Sequence, residues 1–125
     1  MNIPYAAAGG LMLLTAGIHV FAGGPEYHSS FQTQLPNQHL ASMAAVLWHA
    51  VTINLLVFAA AYLWLSKYPS TAVMAVVGVI QLGWAGLFLF YGITMLNSPW
   101  PMPQWVIFLA IPLLSLYGLH KARVN

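Results

Sequence analysis

Only four side chains in this chain of 125 residues carry a formal charge: Glu26, Lys67, Lys121 and Arg123. None of them interrupts a long apolar run. A soluble domain of similar length carries about 25% charged residues, whereas here the share is 3% against 61% hydrophobic. So little charge cannot cover a water-facing surface. A charge at the centre of a bilayer costs about 2.5–3.5 kcal/mol on insertion scales, and the placement of these four avoids that cost throughout. The chain is therefore expected to be an integral membrane protein with a single domain.

Four apolar runs follow from this spacing, at about residues 3–22, 41–66, 70–96 and 102–120. Each reaches or approaches the roughly 20 residues that cross about 30 Å of hydrocarbon. Alternation of period two is missing, so α-helices are the expected spanning element. Gly23-Gly24-Pro25 reads as a helix stop, and the polar stretch from Glu26 to Leu40 as a loop with room for a short interfacial helix. Lys67-Tyr68-Pro69 and the stretch Asn97 to Pro101 read as tight turns, and Pro112 as a kink in the fourth helix. The expected fold is an all-α, four-helix antiparallel membrane bundle.

Lys67, Lys121 and Arg123 fall on one side of such a bundle. The positive-inside rule makes that side cytoplasmic, with both termini inside and a bacterial-type inner membrane as the location. Tyr5, Tyr62, Trp64 and Tyr68 are expected at the inner interface and Trp100 and Trp105 at the outer one, while Trp48 and Trp84 are expected to pack within the bundle. Three basic residues make no nucleic-acid patch, despite a net charge of +2. The absence of cysteine excludes disulfides, thiolate metal sites and thiol redox chemistry.

The polar residues with chemical potential gather towards one end. His19 lies late in the first run, His28 and His39 in the loop and His49 early in the second run, with Glu26, the sole acid, among them. His120 stands alone at the opposite end. By helical spacing, Ala8, Met12, Thr15 and His19 share a face, as do Ser42, Ala45, His49 and Thr52, and both faces are expected to point inward. Histidine within a membrane segment is a functional candidate. His19 and His49 would supply imidazole ligands to a transition metal, with Glu26, His28 or His39 completing the set. Such donors suit zinc, copper or iron.

Competing readings of the same residues are hydrogen bonds between helices, proton handling, and a bis-histidine haem held by His19 and His49. Haem is the weaker of these, since no basic residue stands on that face to meet the propionates. Asn54 and Gln81, near the middle of the second and third runs, are expected to be buried and to bond each other, with Thr15 and Thr52 as further buried polar groups.

Four helices in so short a chain match small multidrug transporters in size alone, because the first run lacks the membrane glutamate on which that family depends. Gly17-Ile18-His19, Gly23-Gly24-Pro25-Glu26 and Trp48-His49-Ala50-Val51-Thr52 resemble small bacterial inner-membrane families. Those families carry a histidine late in helix one, a glycine-rich turn with an acid, and Trp-His-x-x-Thr early in helix two. The likeness covers the first half of the chain and implies a four-helix fold in a bacterial inner membrane, without an activity. The resulting expectation is a small metal-binding membrane protein rather than an enzyme, since no nucleophile–base pair is evident. The alternatives are an accessory subunit of a larger membrane complex, a homo-oligomer, or an oligomeric channel or transporter.

Overall fold

The computed structural model describes the backbone of residues 1–124 and the side chains of residues 1–120, so the side chains of Lys121 and Arg123 lie outside the described residues. The chain is 86% helical, and no strand occurs among the described residues. In order come α1 (Ile3–Ile18), a π-helical segment (His19–His28), α2 (Ser29–Gln34), α3 (Gln38–Leu65), α4 (Thr71–Leu96) and α5 (Gln104–Val124). Ile3–Gln34, Gln38–Leu65 and Thr71–Leu96 are long and apolar enough to cross a membrane, and Gln104–His120 is a shorter apolar helix.

Each helix start has a local cause. Asn2, Asn37 and Ser70 stand at the N-caps of α1, α3 and α4, and each side chain accepts a bond from a backbone N–H three residues on. These contacts satisfy donors that the first helical turn leaves free. At the other end of α4, Asn97 adopts a left-handed conformation (φ 55°). Its neighbour Ser98 donates a backbone bond to the Gly92 carbonyl (3.1 Å), which closes the turn towards α5.

The expected stop at Gly23-Gly24-Pro25 is not one. The helix runs through it and on to Gln34, with the intervening turns widened to the π form. Pro25 has no N–H to donate, and in an α-helix its ring would meet the carbonyl four residues back. The wider repeat relieves that clash. The Ser29 N–H reaches the Gly24 carbonyl, five residues back, in place of an α-helical partner. The expected short helix in the polar stretch is thus present as α2, continuous with what precedes it. α2 folds back on α3, where Gln32 Nε2 donates to the Ala41 carbonyl (3.0 Å).

α1 packs against both α3 and α5, and α4 packs mainly against α5, while α3 and α4 touch least. The α4–α5 seam is aromatic: the Trp84, Phe88 and Phe108 rings lie 5.9–6.4 Å apart, within the range of favourable ring pairs.

The core carries polar groups from all four long helices. Tyr5, Tyr62, Gln81 and Ser115 are fully buried. The Tyr62 hydroxyl donates to Gln81 Oε1 (3.3 Å), and Gln81 Nε2 donates to Met12 Sδ (3.6 Å). Ser115 of α5 is buried beside the Tyr62 hydroxyl and donates its own hydroxyl to the Pro112 carbonyl (2.7 Å). Two expectations are corrected here. Tyr5 and Tyr62 belong to the core rather than to an interfacial belt. Asn54 is exposed, so the expected Asn54–Gln81 bond is not formed, and Tyr62 takes its place.

The end of the bundle nearest Lys67 is tied by one residue. The Asn2 N–H donates to the Ser66 carbonyl (2.7 Å), Asn2 Nδ2 donates to the Gly118 carbonyl (2.7 Å), and Asn2 Oδ1 caps α1. A Cβ on Gly118 would stand 3.1 Å from both Asn2 Oδ1 and Pro4 Cβ, so glycine there permits the close approach of α5 to α1. Asn2→Ala removes the cap and the Gly118 bond. It should lower the unfolding free energy in detergent by about 1–2 kcal/mol. Asn2→Asp, which keeps the cap, should lose less; equal losses would show that the cap contributes nothing.

Candidate functional site

The clustering of histidines at one end survives, but with different partners from those expected. On α1, Ala8 and Met12 are buried and Thr15 and His19 partly so, which leaves that face directed inward as predicted. On α3 the inward face follows Ala41, Trp48, Leu55 and Tyr62. That is one residue, about 100° of helix rotation, from the expected stripe. Ser42 and His49 are therefore exposed, and Ala45 and Thr52 only partly buried. The side chain that meets His19 is Trp48.

Trp48 is the hub of the site. The His19 ring stacks on its indole with centroids 3.9 Å apart and planes 18° apart. The His28 ring is nearly parallel to the same indole at 5.8 Å. His28 also stands edge-on to His49, centroid to centroid 5.2 Å. Two imidazoles, His19 and His28, thus stack on one indole, and His49 of α3 meets the second of them.

The backbone shapes this arrangement. A Cβ on Gly23 would stand 2.9 Å from Trp48 Cη2, so the absence of a side chain there admits the indole between the π segment and α3. The π repeat brings His28 back over the same ring. π-helical turns are rare in proteins and concentrate at functional sites.

The nitrogens are differently engaged. His19 Nε2 lies 3.3 Å from the Trp48 carbonyl. A carbonyl only accepts, so this nitrogen carries the proton and the neutral ring keeps its lone pair at Nδ1. The Thr52 hydroxyl donates to the same carbonyl (3.2 Å), while the Thr15 hydroxyl donates to the Leu11 carbonyl (2.8 Å), a bond internal to α1. His28 Nδ1 is buried and has no hydrogen-bond partner.

The other expected ligands stand apart. His39 is exposed in the first turn of α3, about 15 Å of helix rise from His49. Glu26 is exposed and bonds the neighbouring Tyr27 hydroxyl. Among the described residues, no three His, Asp or Glu side chains converge closely enough to hold a metal ion. Trp48 and Gly23 were not singled out from the sequence as site residues. The available signal was the small residue one helical turn after His19, which faces a neighbouring helix with a large aromatic. Comparison with protein-family models, curated proteins and solved structures finds no match for the chain.

Gly23→Ala should destabilise the protein by about 1–3 kcal/mol, the usual cost of overpacking. In a Trp48→Leu background the same change should cost less than half as much. Additive losses in the double variant would show that Gly23 and Trp48 do not share this contact.

Proposed function

We propose that the protein is a four-span bundle of a bacterial-type inner membrane that binds a transition-metal ion at its histidine end. The membrane reading is supported by three helices long and apolar enough to cross and by a fourth, shorter apolar span in α5. The three basic residues Lys67, Lys121 and Arg123 share one end, which favours a cytoplasmic position for that end and for both termini. The likeness of the first half to small inner-membrane families points the same way. The histidine end then faces the periplasm.

The observation that carries the metal reading is the His28–His49 pair. Two imidazoles bound to one tetrahedral ion hold their ring centres about 5 Å apart, given metal–nitrogen bonds of about 2.0–2.1 Å. The observed separation is 5.2 Å, and His28 Nδ1 is buried without a partner. His19 has the arrangement common to metal-ligating histidines: one ring nitrogen donates to a backbone carbonyl and leaves the other free. A rotation of the His19 side chain would bring it in as a third ligand, and water would fill the remaining position. Imidazole donors without thiolates suit zinc, copper(II) or iron(II). A single ion is favoured over haem, because the Trp48 indole occupies one face of His19 and the Trp48 carbonyl engages its Nε2.

Detergent-purified protein, titrated with zinc or cobalt(II), should bind close to one ion per chain. His28→Ala and His49→Ala should each weaken binding about tenfold or more, whereas His39→Ala and His120→Ala should leave it unchanged. Affinity should also fall in acid, because imidazole binds metal only in its neutral form. Absence of bound metal, or equal binding by the His28→Ala/His49→Ala variant, would overturn the reading. Orientation has its own test. An impermeant maleimide should label Ser30→Cys at the outer surface of intact cells and Tyr68→Cys only after permeabilisation; the reverse pattern would invert the topology.

A further inference from the structure

We propose that two copies of this chain form a parallel dimer along α3, with Asn54 of each copy bonded to Asn54 of the other. The proposal rests on the membrane reading above. Asn54 lies near the middle of the Gln38–Leu65 span, is exposed, and makes no hydrogen bond among the described residues. In hydrocarbon there is no water to take up a bare carboxamide. A residue in this position is ordinarily satisfied by a neighbouring helix, and the chain's own helices do not provide that partner.

The surroundings indicate which partner fits. Leu47, Ala50, Asn54, Val57 and Ala61 follow one another at alternating steps of three and four residues. That is the spacing of a coiled-coil seam, with asparagine at an a-type position. Leu47 and Val57 are 63% and 56% exposed, so the seam is open. Ala50 and Ala61 flank the amide with small side chains, which let two backbones approach.

A second copy is the occupant these features select. Two copies inserted with the same orientation are related by a two-fold axis along the membrane normal. That symmetry sets each residue near the axis opposite itself at the same depth. A carboxamide is both donor and acceptor, so it complements its own copy through two reciprocal bonds. One asparagine at an a position also fixes the register of such a pair. An unrelated helix would need its own polar group at the same depth.

The chain has no cysteine, so single-cysteine variants are free of background. In liposomes, Val57→Cys should crosslink with a short bis-maleimide, whereas Leu56→Cys, also exposed but turned about 100° away, should not. Photobleaching of single labelled molecules should show two subunits for the wild type and for Asn54→Gln. For Asn54→Leu, which keeps the span apolar, dimerisation should weaken about three- to twentyfold. A wild type that inserts into the membrane but remains monomeric overturns the dimer alone. Equal dimerisation by Asn54→Leu overturns the Asn54 pairing. A chain released from membranes by alkaline carbonate overturns the membrane reading, and the dimer with it.

Discussion

A bundle with almost no charge cannot use ion pairs to set the depth at which its helices meet. Apolar packing alone is permissive, because one leucine-rich surface slides past another at little cost. The buried Tyr62–Gln81–Met12 bonds supply what packing lacks. They join α1, α3 and α4 at one level, and Ser115 brings in α5 at the same point. A slip of one turn in any helix would strand a buried amide or hydroxyl, and such a group has no water to fall back on. Asn2 fixes α1, α3 and α5 once more at the bundle's end. With both levels set, the depth of Trp48 relative to His19 follows.

The site is built differently from the core. The π segment and α2 contain no buried residue, and the imidazoles are held by stacking on one indole rather than by close packing. Such a site has two properties at once. Its scaffold, α3 and the upper part of α1, is anchored in the bundle. Its ring that approaches from outside, His28, is carried by the π segment, which meets α3 where Gly23 faces Trp48. The ligand set proposed above, divided in this way, would close around an ion without disturbing the bundle beneath it.

Much of this architecture was readable from the residues. Helix number and the histidine-rich end followed from where charge is missing and where imidazoles gather, because both depend on composition within a segment. What depended on rotation about a helix axis was less legible. The inward face of α3 lies one residue from the predicted stripe, since Ser42, Ala45, His49 and Thr52 fit a helical spacing as well as Ala41, Trp48, Leu55 and Tyr62 do. Tyr5 and Tyr62 were read as interfacial because an aromatic near a helix end ordinarily lies there. No sequence pattern announces that both rings are buried, with the Tyr62 hydroxyl bonded to Gln81. Asn54 and Gln81 look equivalent in the sequence, yet one points to the core and the other away from it. Gly23-Gly24-Pro25 stops most helices, and it fails to do so here because a wider helical repeat tolerates the proline.

That wider repeat has a consequence for how the chain can change over time. In an α-helix each residue adds about 100° of rotation, and a π repeat departs from this by the extra residue its turn contains. Loss of one residue between His19 and His28 with the π repeat kept would turn everything beyond it by nearly that angle. His28 would swing off the indole, and α2 would leave its seat on α3. Substitutions at the exposed positions of this segment leave that geometry alone, whereas a deletion of any single residue does not. The spacing between the two histidines, together with the glycine at 23, is what selection on this end of the protein would guard.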